Sequence, residues 1–311
     1  MFRLKSKKMN SRIKGFMAGI LAAIFYGTNP LGTLPLYSEN INSESVLFYR
    51  YGMAVVIFVL WMLLRGESFR IKWGEAIRFA VLGTFFALSS VTLYLSFHYI
   101  NAGVASTILF SYPIMTALLM VLFFHERVTW SSTVSIILAV GGIALLYRGN
   151  NGVTLSGAGL ILVLMSSLLY AIYIVSVSQM DIHMSPLKFT FWIVFFGLIA
   201  ILFFSIFTGR SIQMLHGAKA WICGFQLALL PTVLSLYFMT IAIKNIGSTP
   251  SAIIGALEPV TAVVISCSLF SEVFTFRLFM GIVLILSAVI LIILRQADSS
   301  IGVHKKTLSK N

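Results

Sequence analysis

The sequence predicts an all-α integral membrane protein with ten transmembrane helices, arranged as two inverted five-helix repeats. Three observations predict this fold class: an apolar composition, a series of hydrophobic segments and an internal repeat. Of the 311 residues, 59% are hydrophobic and only 10% are charged, whereas an average soluble domain is about 25% charged. So few charges cannot cover a water-facing surface, and the composition therefore excludes a soluble protein.

The hydrophobic segments have the length of membrane-spanning helices, which need about 20 mostly apolar residues. The third and fourth segments are separated only by a short turn around Asn101, so nine longer spans are the alternative. With ten spans and the N-terminus inside, most of the 22 Lys and Arg residues face the cytoplasm, as the positive-inside rule requires. This bias favours ten spans with both termini cytoplasmic. The expected spans are 15–37, 45–64, 77–99, 103–124, 132–148, 157–178, 187–208, 220–243, 249–270 and 277–294.

The basic residues are concentrated in the first fourteen positions, directly before the first apolar segment. This opening resembles a signal peptide, but the apolar run continues past Gly27 and nine further spans follow, so we expect an uncleaved first helix. Because the charges flank membrane segments, the net charge of +13 does not indicate nucleic-acid binding. Cys223 and Cys267 lie inside apolar runs and are expected to be small core residues, not a disulfide or a metal site.

An internal repeat divides the chain into two halves. The stretch Ile100–Thr129 aligns without gaps on Ile246–Thr275. Since each half has five spans, the second half enters the membrane from the opposite side. Inverted repeats are typical of secondary transporters that bind substrate near the bilayer midplane, and a duplication kept for packing alone is the alternative. The predicted division is a basic tail at 1–14, a first repeat at 15–149, a linker at 150–156, a second repeat at 157–295 and a basic tail at 296–311.

Three motifs also carry a family resemblance. AIFYGTNPLG in the first span, and the blocks ending YP…HERVT and EP…SEVFT in the two halves, resemble the paired EamA modules of the drug/metabolite transporter superfamily. The resemblance covers essentially the whole chain. It implies a ten-helix fold, a central cavity to which both halves contribute, and export of small metabolites such as amino acids.

Glu258 is the acidic residue expected deepest in the membrane, about ten residues into the ninth span. A charged group at that depth costs at least about 2.5–3.5 kcal/mol, so it should face the helix bundle or a wet cavity. Pro259 follows and leaves the carbonyl of Gly255 without its helical donor. We interpret Glu258 as a substrate ligand and a proton-coupling residue. The alternative is a protonated side chain that hydrogen-bonds a neighbouring helix.

Other polar residues inside the spans are further candidates for the cavity. The first half has a proline at the position equivalent to Pro259, but no charge beside it. The cavity candidates are Tyr26, Thr28, Asn29, Tyr94, Tyr112, Tyr170, Tyr173, Tyr237 and Glu258, and the predicted helix breaks are at Pro30, Pro113, Pro231 and Pro259.

Two further sets of charged residues are interpreted separately from these candidates. Arg50 is expected near the outer mouth, where its side chain can reach water and could attract a substrate carboxylate. Glu126 and Glu272 match each other in the repeat and are interpreted as structural charges at helix ends, with Thr129 and Thr275 as N-caps of the next helices.

Motifs of other protein classes are absent from the sequence. His125–Glu126 begins like a zinc-protease motif, but Thr129 stands where its second histidine should be. Neither a nucleotide-binding loop nor a channel selectivity filter occurs. We therefore predict a secondary transporter that is not an enzyme and needs no cofactor or metal, with a small molecule and membrane lipid as its partners and no oligomeric state assigned. The alternatives are a passive facilitator of the same fold and a membrane-embedded enzyme acting on a lipid-linked substrate.

Overall fold

The structure is a computed structural model, which describes residues 2–124, 130–147, 155–178, 184–246, 254–255 and 257–291. These residues form helices and connecting segments, and no β-strand occurs among them. The predicted all-α fold class is thereby confirmed. The helices are α1 (Phe2–Gly27), α2 (Asn29–Ser38), α3 (Ser43–Leu64), α4 (Trp73–Ser96), α5 (Ala102–Leu109), α6 (Tyr112–Phe124), α7 (Trp130–Tyr147), α8 (Gly157–Ser178), α9 (Pro186–Phe207), α10 (Gly217–Ala228), α11 (Ser235–Ile246), α12 (Leu257–Leu269) and α13 (Phe276–Leu291), and a π-helical segment, Leu229–Leu234, joins α10 to α11.

Several of these helices have the length and composition of membrane spans, which makes the chain a multi-pass membrane protein. Shorter apolar helices, among them α12 and α13, accompany them. The count of ten spans stays a prediction. Within the described ranges, the six stretches long and apolar enough to cross a membrane are Ser43–Leu64, Trp73–Ser96, Ala102–Phe123, Gly157–Val177, Pro186–Phe207 and Gly217–Ala242.

Polar side chains fix where several helices begin. Asn42 caps α3, because its Oδ1 accepts a hydrogen bond from the Ser45 amide at 2.8 Å. Thr275 caps α13 through a 3.1 Å bond from the Leu278 amide to its Oγ1, which confirms the predicted cap. Glu126 and Thr129 lie outside the described residues.

The contacts between the helices of the two halves are symmetric, since each contact made by a helix of the first half has a counterpart made by the equivalent helix of the second half. α1, first in its half, packs along α11, and α8, first in the second half, packs along α4. The second helices of the two halves, α3 and α9, pack against each other, and so do α5 and α12. This pattern fits the predicted inverted repeat.

The α3/α9 pair shows the inversion most directly, because each helix begins where the other ends. Next to the start of α3, the amide of Asn42 donates to Gln213 Oε1 at 2.6 Å and the amide of Gln213 donates to Ser45 Oγ at 2.7 Å. We call this contact the first clasp. Equivalent helices of the two halves therefore run antiparallel.

A matching contact closes the other end of the pair. At the start of α9, the Ser185 hydroxyl donates to the carboxylate of Glu67, beyond the end of α3. Lys188 Nζ donates to the carbonyl oxygen of Arg70 at 2.5 Å. We call this contact the second clasp. Each half thus holds the other at both ends of the central helix pair.

Candidate functional site

A narrow cavity lies between the two halves, where the broken helices meet. Its wall includes five of the predicted cavity residues and one predicted helix break. The free space inside it is enough for a water molecule. The predicted residues on this wall are Tyr26, Asn29, Tyr112, Tyr170, Glu258 and Pro259.

Three helices begin at this cavity, each with a proline in its first turn. Pro30 is the second residue of α2, which begins at Asn29. Pro113 is the second residue of α6, which begins at Tyr112, and Pro259 is the third residue of α12, which begins at Leu257. Proline suits this position because its missing N–H would have no intrahelical acceptor. Pro30, Pro113 and Pro259 therefore mark places where the chain begins a new helix, whereas Pro35 lies inside α2.

The break between α1 and α2 is stabilised by its own side chains. Thr28 Oγ1 donates to the carbonyl oxygen of Phe25 at 2.6 Å, and Asn29 Nδ2 donates to that of Tyr26 at 2.8 Å. These bonds satisfy carbonyls at the end of α1 that no longer have helical donors. The polar segment Tyr26–Asn29 is thereby held at the cavity wall.

Gly27 allows α1 to approach α12 very closely at this point. A Cβ atom on Gly27 would lie 2.5 Å from Cβ of Thr261 and 2.7 Å from the carbonyl oxygen of Glu258. Both distances are shorter than a van der Waals contact. The backbone of the first half therefore rests directly on the first turn of α12, which carries the cavity glutamate.

Glu258 is partly buried, and its side chain forms part of the cavity wall. Within the described residues its carboxylate has no hydrogen-bond partner, so the alternative of a glutamate bonded to a neighbouring helix finds no support there. An oxygen of the carboxylate lies 3.7 Å from the position of a Cβ on Gly255. The acidic group is thus available to a molecule in the cavity.

Aromatic rings form the rest of the polar wall. The rings of Tyr112 and Tyr170 meet edge to face with centroids 4.7 Å apart. Tyr173 stacks behind Tyr170 at 5.8 Å and contacts Phe86 at 5.3 Å, so it supports the wall without lining it.

Arg50 is buried, and the expectation that its side chain reaches water is wrong. Its side chain is 1% exposed and links three parts of the structure. Nη1 donates to Asn29 Oδ1 at 3.0 Å and to Tyr94 Oη at 2.8 Å, and Nε donates to Thr232 Oγ1 at 2.9 Å. Three neutral oxygens replace part of the water around the guanidinium, and none of them carries a charge opposite to that of the arginine.

Four other predicted residues lie outside the cavity wall. Tyr94 belongs to the Arg50 network. The hydroxyl of Thr28 accepts a 3.0 Å bond from Gln226 Nε2. Tyr237 packs on Trp61 with ring centroids 4.3 Å apart. Pro231 lies in the π-helical segment.

Sequence reasoning missed a set of serine contacts that join the two halves. Ser89 on α4 and Ser166 on α8 exchange hydrogen bonds of 2.7 and 2.9 Å between hydroxyls and carbonyl oxygens. Ser111 and Ser167 are 3.0 Å apart at their hydroxyls. A signal existed, since α4 and α8 each carry a serine doublet inside an apolar segment. Small hydroxylated residues are typical of helix contacts in membranes.

The described residues contain no group of three or more His, Cys, Asp or Glu side chains placed to hold a metal ion. The chemistry available at the cavity is therefore that of one carboxylate, several phenol hydroxyls and a carboxamide, with a guanidinium behind them.

The sequence matches the EamA-like transporter family twice, at residues 13–148 and 157–294. An uncharacterized transporter of Archaeoglobus fulgidus is 33% identical over 125 residues, which are 40% of this chain and 43% of the relative. In Bacillus subtilis, the uncharacterized transporter YdfC is 24% identical over 63% of this chain and 64% of its own length. The uncharacterized transporter YxxF is 27% identical over 75% of this chain and 76% of its own length. The matched region therefore spans less than two thirds of the archaeal relative and of YdfC.

A solved crystal structure superimposes on 90% of this chain and 96% of its own chain, with a TM-score of 0.63 and 14% sequence identity. At that identity the likeness supports the fold alone.

Proposed function

The chain belongs to the EamA-like transporter family, and from that premise we propose that it exports a small, amino-acid-like metabolite across the bacterial inner membrane by alternating access, coupled to protons through Glu258. Family membership makes it a membrane transporter. The substrate class, the direction of transport, the coupling and the membrane are the proposal.

One observation carries the proposal: the Glu258 carboxylate lies on a cavity between the halves and has no hydrogen-bond partner among the described residues. An unpaired acid at this depth is costly, and the cost is reduced when the group binds a proton or a cationic part of a substrate. Both ligands can reach the same carboxylate, so one must leave before the other binds. Competition of this kind couples proton movement to substrate movement.

The arrangement of the halves supports alternating access. The cavity has room for a water molecule only, so a metabolite requires the halves to separate on one side or the other. The two clasps lie at opposite ends of the α3/α9 pair, and opening one while the other stays closed would expose the cavity to one side. Because the halves are inverted copies, the same movement serves both directions.

Transport by the purified full-length chain in proteoliposomes tests the proposal. We would screen the standard L-amino acids, nucleosides and sugars for counterflow, and then drive the best compound with a pH gradient. Wild-type protein should accumulate an amino-acid-like compound against its gradient. Glu258→Gln should still exchange that compound but should not respond to the pH gradient.

The control is Glu39→Gln, which changes an exposed glutamate in the segment between α2 and α3 and should behave as wild type. Proton coupling of wild-type strength in Glu258→Gln would refute the role of that residue. Flux that ignores the pH gradient in the wild type would establish a passive facilitator instead.

A further inference from the structure

We propose that Arg50 binds a carboxylate group of the transported molecule. This inference rests on the proposed function and assigns the anionic end of the substrate to a residue of α3. It concerns the second charged side chain near the cavity, which the proton-coupling proposal leaves unexplained.

The first step is the charge itself. An arginine side chain keeps its positive charge in proteins, and Arg50 is almost completely buried. Its described hydrogen-bond partners are Asn29, Tyr94 and Thr232, all of them neutral. A buried guanidinium is normally compensated by a carboxylate or a phosphate. Within the described part of the chain, no acidic side chain bonds to it.

The second step is unused bonding capacity. The guanidinium has five N–H donors in a planar fork, and the three bonds above use Nε and Nη1. None of these three bonds uses Nη2, and the one further side chain within hydrogen-bonding reach of the guanidinium among the described residues is Tyr26 on the cavity wall. Nη1 and Nη2 together form the edge of the fork that binds a carboxylate with two parallel bonds.

The third step is position. Asn29 lies on the cavity wall and its Oδ1 accepts hydrogen bonds from both Arg50 and Tyr94. Arg50 is therefore one side chain away from the cavity. A carboxylate that enters the cavity and displaces Asn29 Oδ1 exchanges a neutral acceptor for a charged one, which forms the stronger hydrogen bond.

The fourth step is complementarity with Glu258. Tyr26 lies on the cavity wall, within electrostatic reach of both Arg50 and Glu258. One tyrosine of the wall is thus close to a positive group behind the wall and to a negative group on it. A zwitterion with its carboxylate toward Arg50 and its ammonium group toward Glu258 matches this arrangement.

A purely structural role for Arg50 makes a different prediction. If Arg50 only ties α2, α4 and the π-helical segment together, its loss should reduce transport of every compound equally. If it binds the carboxylate, its loss should change which compounds are transported. The ratio between related compounds therefore separates the two roles, even when a variant is less stable.

The experiment measures uptake into proteoliposomes by mass spectrometry for three matched series: L-amino acids, the amines that lack their carboxylate, and the acids that lack their ammonium group. Wild-type protein should take up an amino acid at least about tenfold faster than the matched amine, because the amine lacks the carboxylate that forms the charge-assisted bond. Arg50→Gln should reduce that ratio to about twofold or less, whereas Arg50→Lys should retain part of it because the charge remains. Arg65→Gln, an exposed arginine at the end of the same helix, should leave it unchanged.

Asn29→Asp provides a second test that does not remove the guanidinium. The new carboxylate would lie next to Nη1 of Arg50 and bind the guanidinium in place of a substrate carboxylate. The fold should therefore be retained, and the preference for substrates with a carboxylate should be lost. A preference of wild-type size in both Arg50→Gln and Asn29→Asp would overturn the inference, and so would wild-type protein that moves amines as fast as amino acids.

The series also distinguish this inference from the proposed function. If acids without an ammonium group move in an Arg50-dependent way and amino acids do not, the amino-acid-like substrate is wrong and the role of Arg50 stands. If amino acids move with a preference that ignores Arg50, the proposed substrate stands and the role of Arg50 falls. If no compound of the three series moves, both are refuted.

Discussion

The breaks at Pro113 and Pro259 occupy equivalent positions in the two halves, yet they place different chemistry at the cavity. In the first half α6 begins with Tyr112, and in the second half α12 begins with Leu257 and Glu258. Both Tyr112 and Glu258 lie on the wall. The comparison teaches that the duplication supplies two similar helix breaks, while only one half adds an ionisable acid. Geometry is shared and charge is not.

The largest expected effect comes from the contact that distinguishes the two breaks structurally. Gly27 rests on the turn of Glu258. A weaker match in the repeat pairs IFYGTN (Ile24–Asn29) with LLYAIY (Leu168–Tyr173), so the equivalent residue of the second half is Ala171, which has a Cβ and is fully buried. We expect Gly27→Val to destabilise the protein by about 3 kcal/mol or more, because the added atoms overlap the backbone of α12. Thermal unfolding in detergent measures the effect.

The matched control is Gly52→Val on α3, since a Cβ at Gly52 meets no heavy atom within 4 Å. Its melting temperature should stay close to that of the wild type. Equal losses in the two variants would mean that the close approach of α1 to α12 is not what requires glycine at position 27.

An intermediate effect is expected from the residues that differ at the breaks themselves. Tyr112→Phe removes the hydroxyl in the first half and should change pH-driven transport by about fivefold or less, the scale of one neutral hydrogen bond of about 1 kcal/mol. Glu258→Gln should abolish the response to the pH gradient. A pH response lost in Tyr112→Phe as well would show that the two breaks are chemically equivalent, contrary to the comparison.

The smallest effect concerns a contact that ties the two broken spans together at some distance from the breaks. The Glu272 carboxylate, which lies beyond the end of α12, accepts bonds from the amides of Ala102 at 2.9 Å and Gly103 at 3.3 Å, at the start of α5. Glu272→Ala should cost about 1 kcal/mol of stability through the lost cap, measured by thermal unfolding, with substrate selectivity unchanged.

The repeat sharpens this prediction. Glu126 is the counterpart of Glu272 and lies outside the described residues, but the alignment predicts that Glu126→Ala also costs about 1 kcal/mol of stability. A much larger cost in one half would reveal that the two halves use this glutamate differently.

Fold class and family could be predicted from the sequence, because composition and hydrophobic length depend on the bilayer and not on side-chain detail. Prolines next to polar residues, as at Pro30 and Pro259, indicated parts of the cavity wall. The burial of the Arg50 side chain could not be predicted, because it depends on hydrogen bonds to Asn29, Tyr94 and Thr232, which come from three other spans. Tyr237 shows the same limit, since its position within a span does not reveal which face of the helix contacts Trp61.

The π-helical segment at Leu229–Leu234 has a consequence for how relatives of this chain should be aligned. There the Thr232 hydroxyl donates to the carbonyl oxygen of Leu227, five residues earlier, at 2.9 Å, and accepts the bond from Arg50 Nε. A wide turn holds one residue more than an α-helical turn, and each residue rotates the remainder of the helix by about 100° around its axis. The wide turn absorbs its extra residue, so a homologue that lacks one residue here and forms a regular α-helical turn would present the same face of α11 to α1. A single-residue gap in an alignment therefore belongs at this segment, because the same gap placed within α11 would rotate the rest of the helix away from α1.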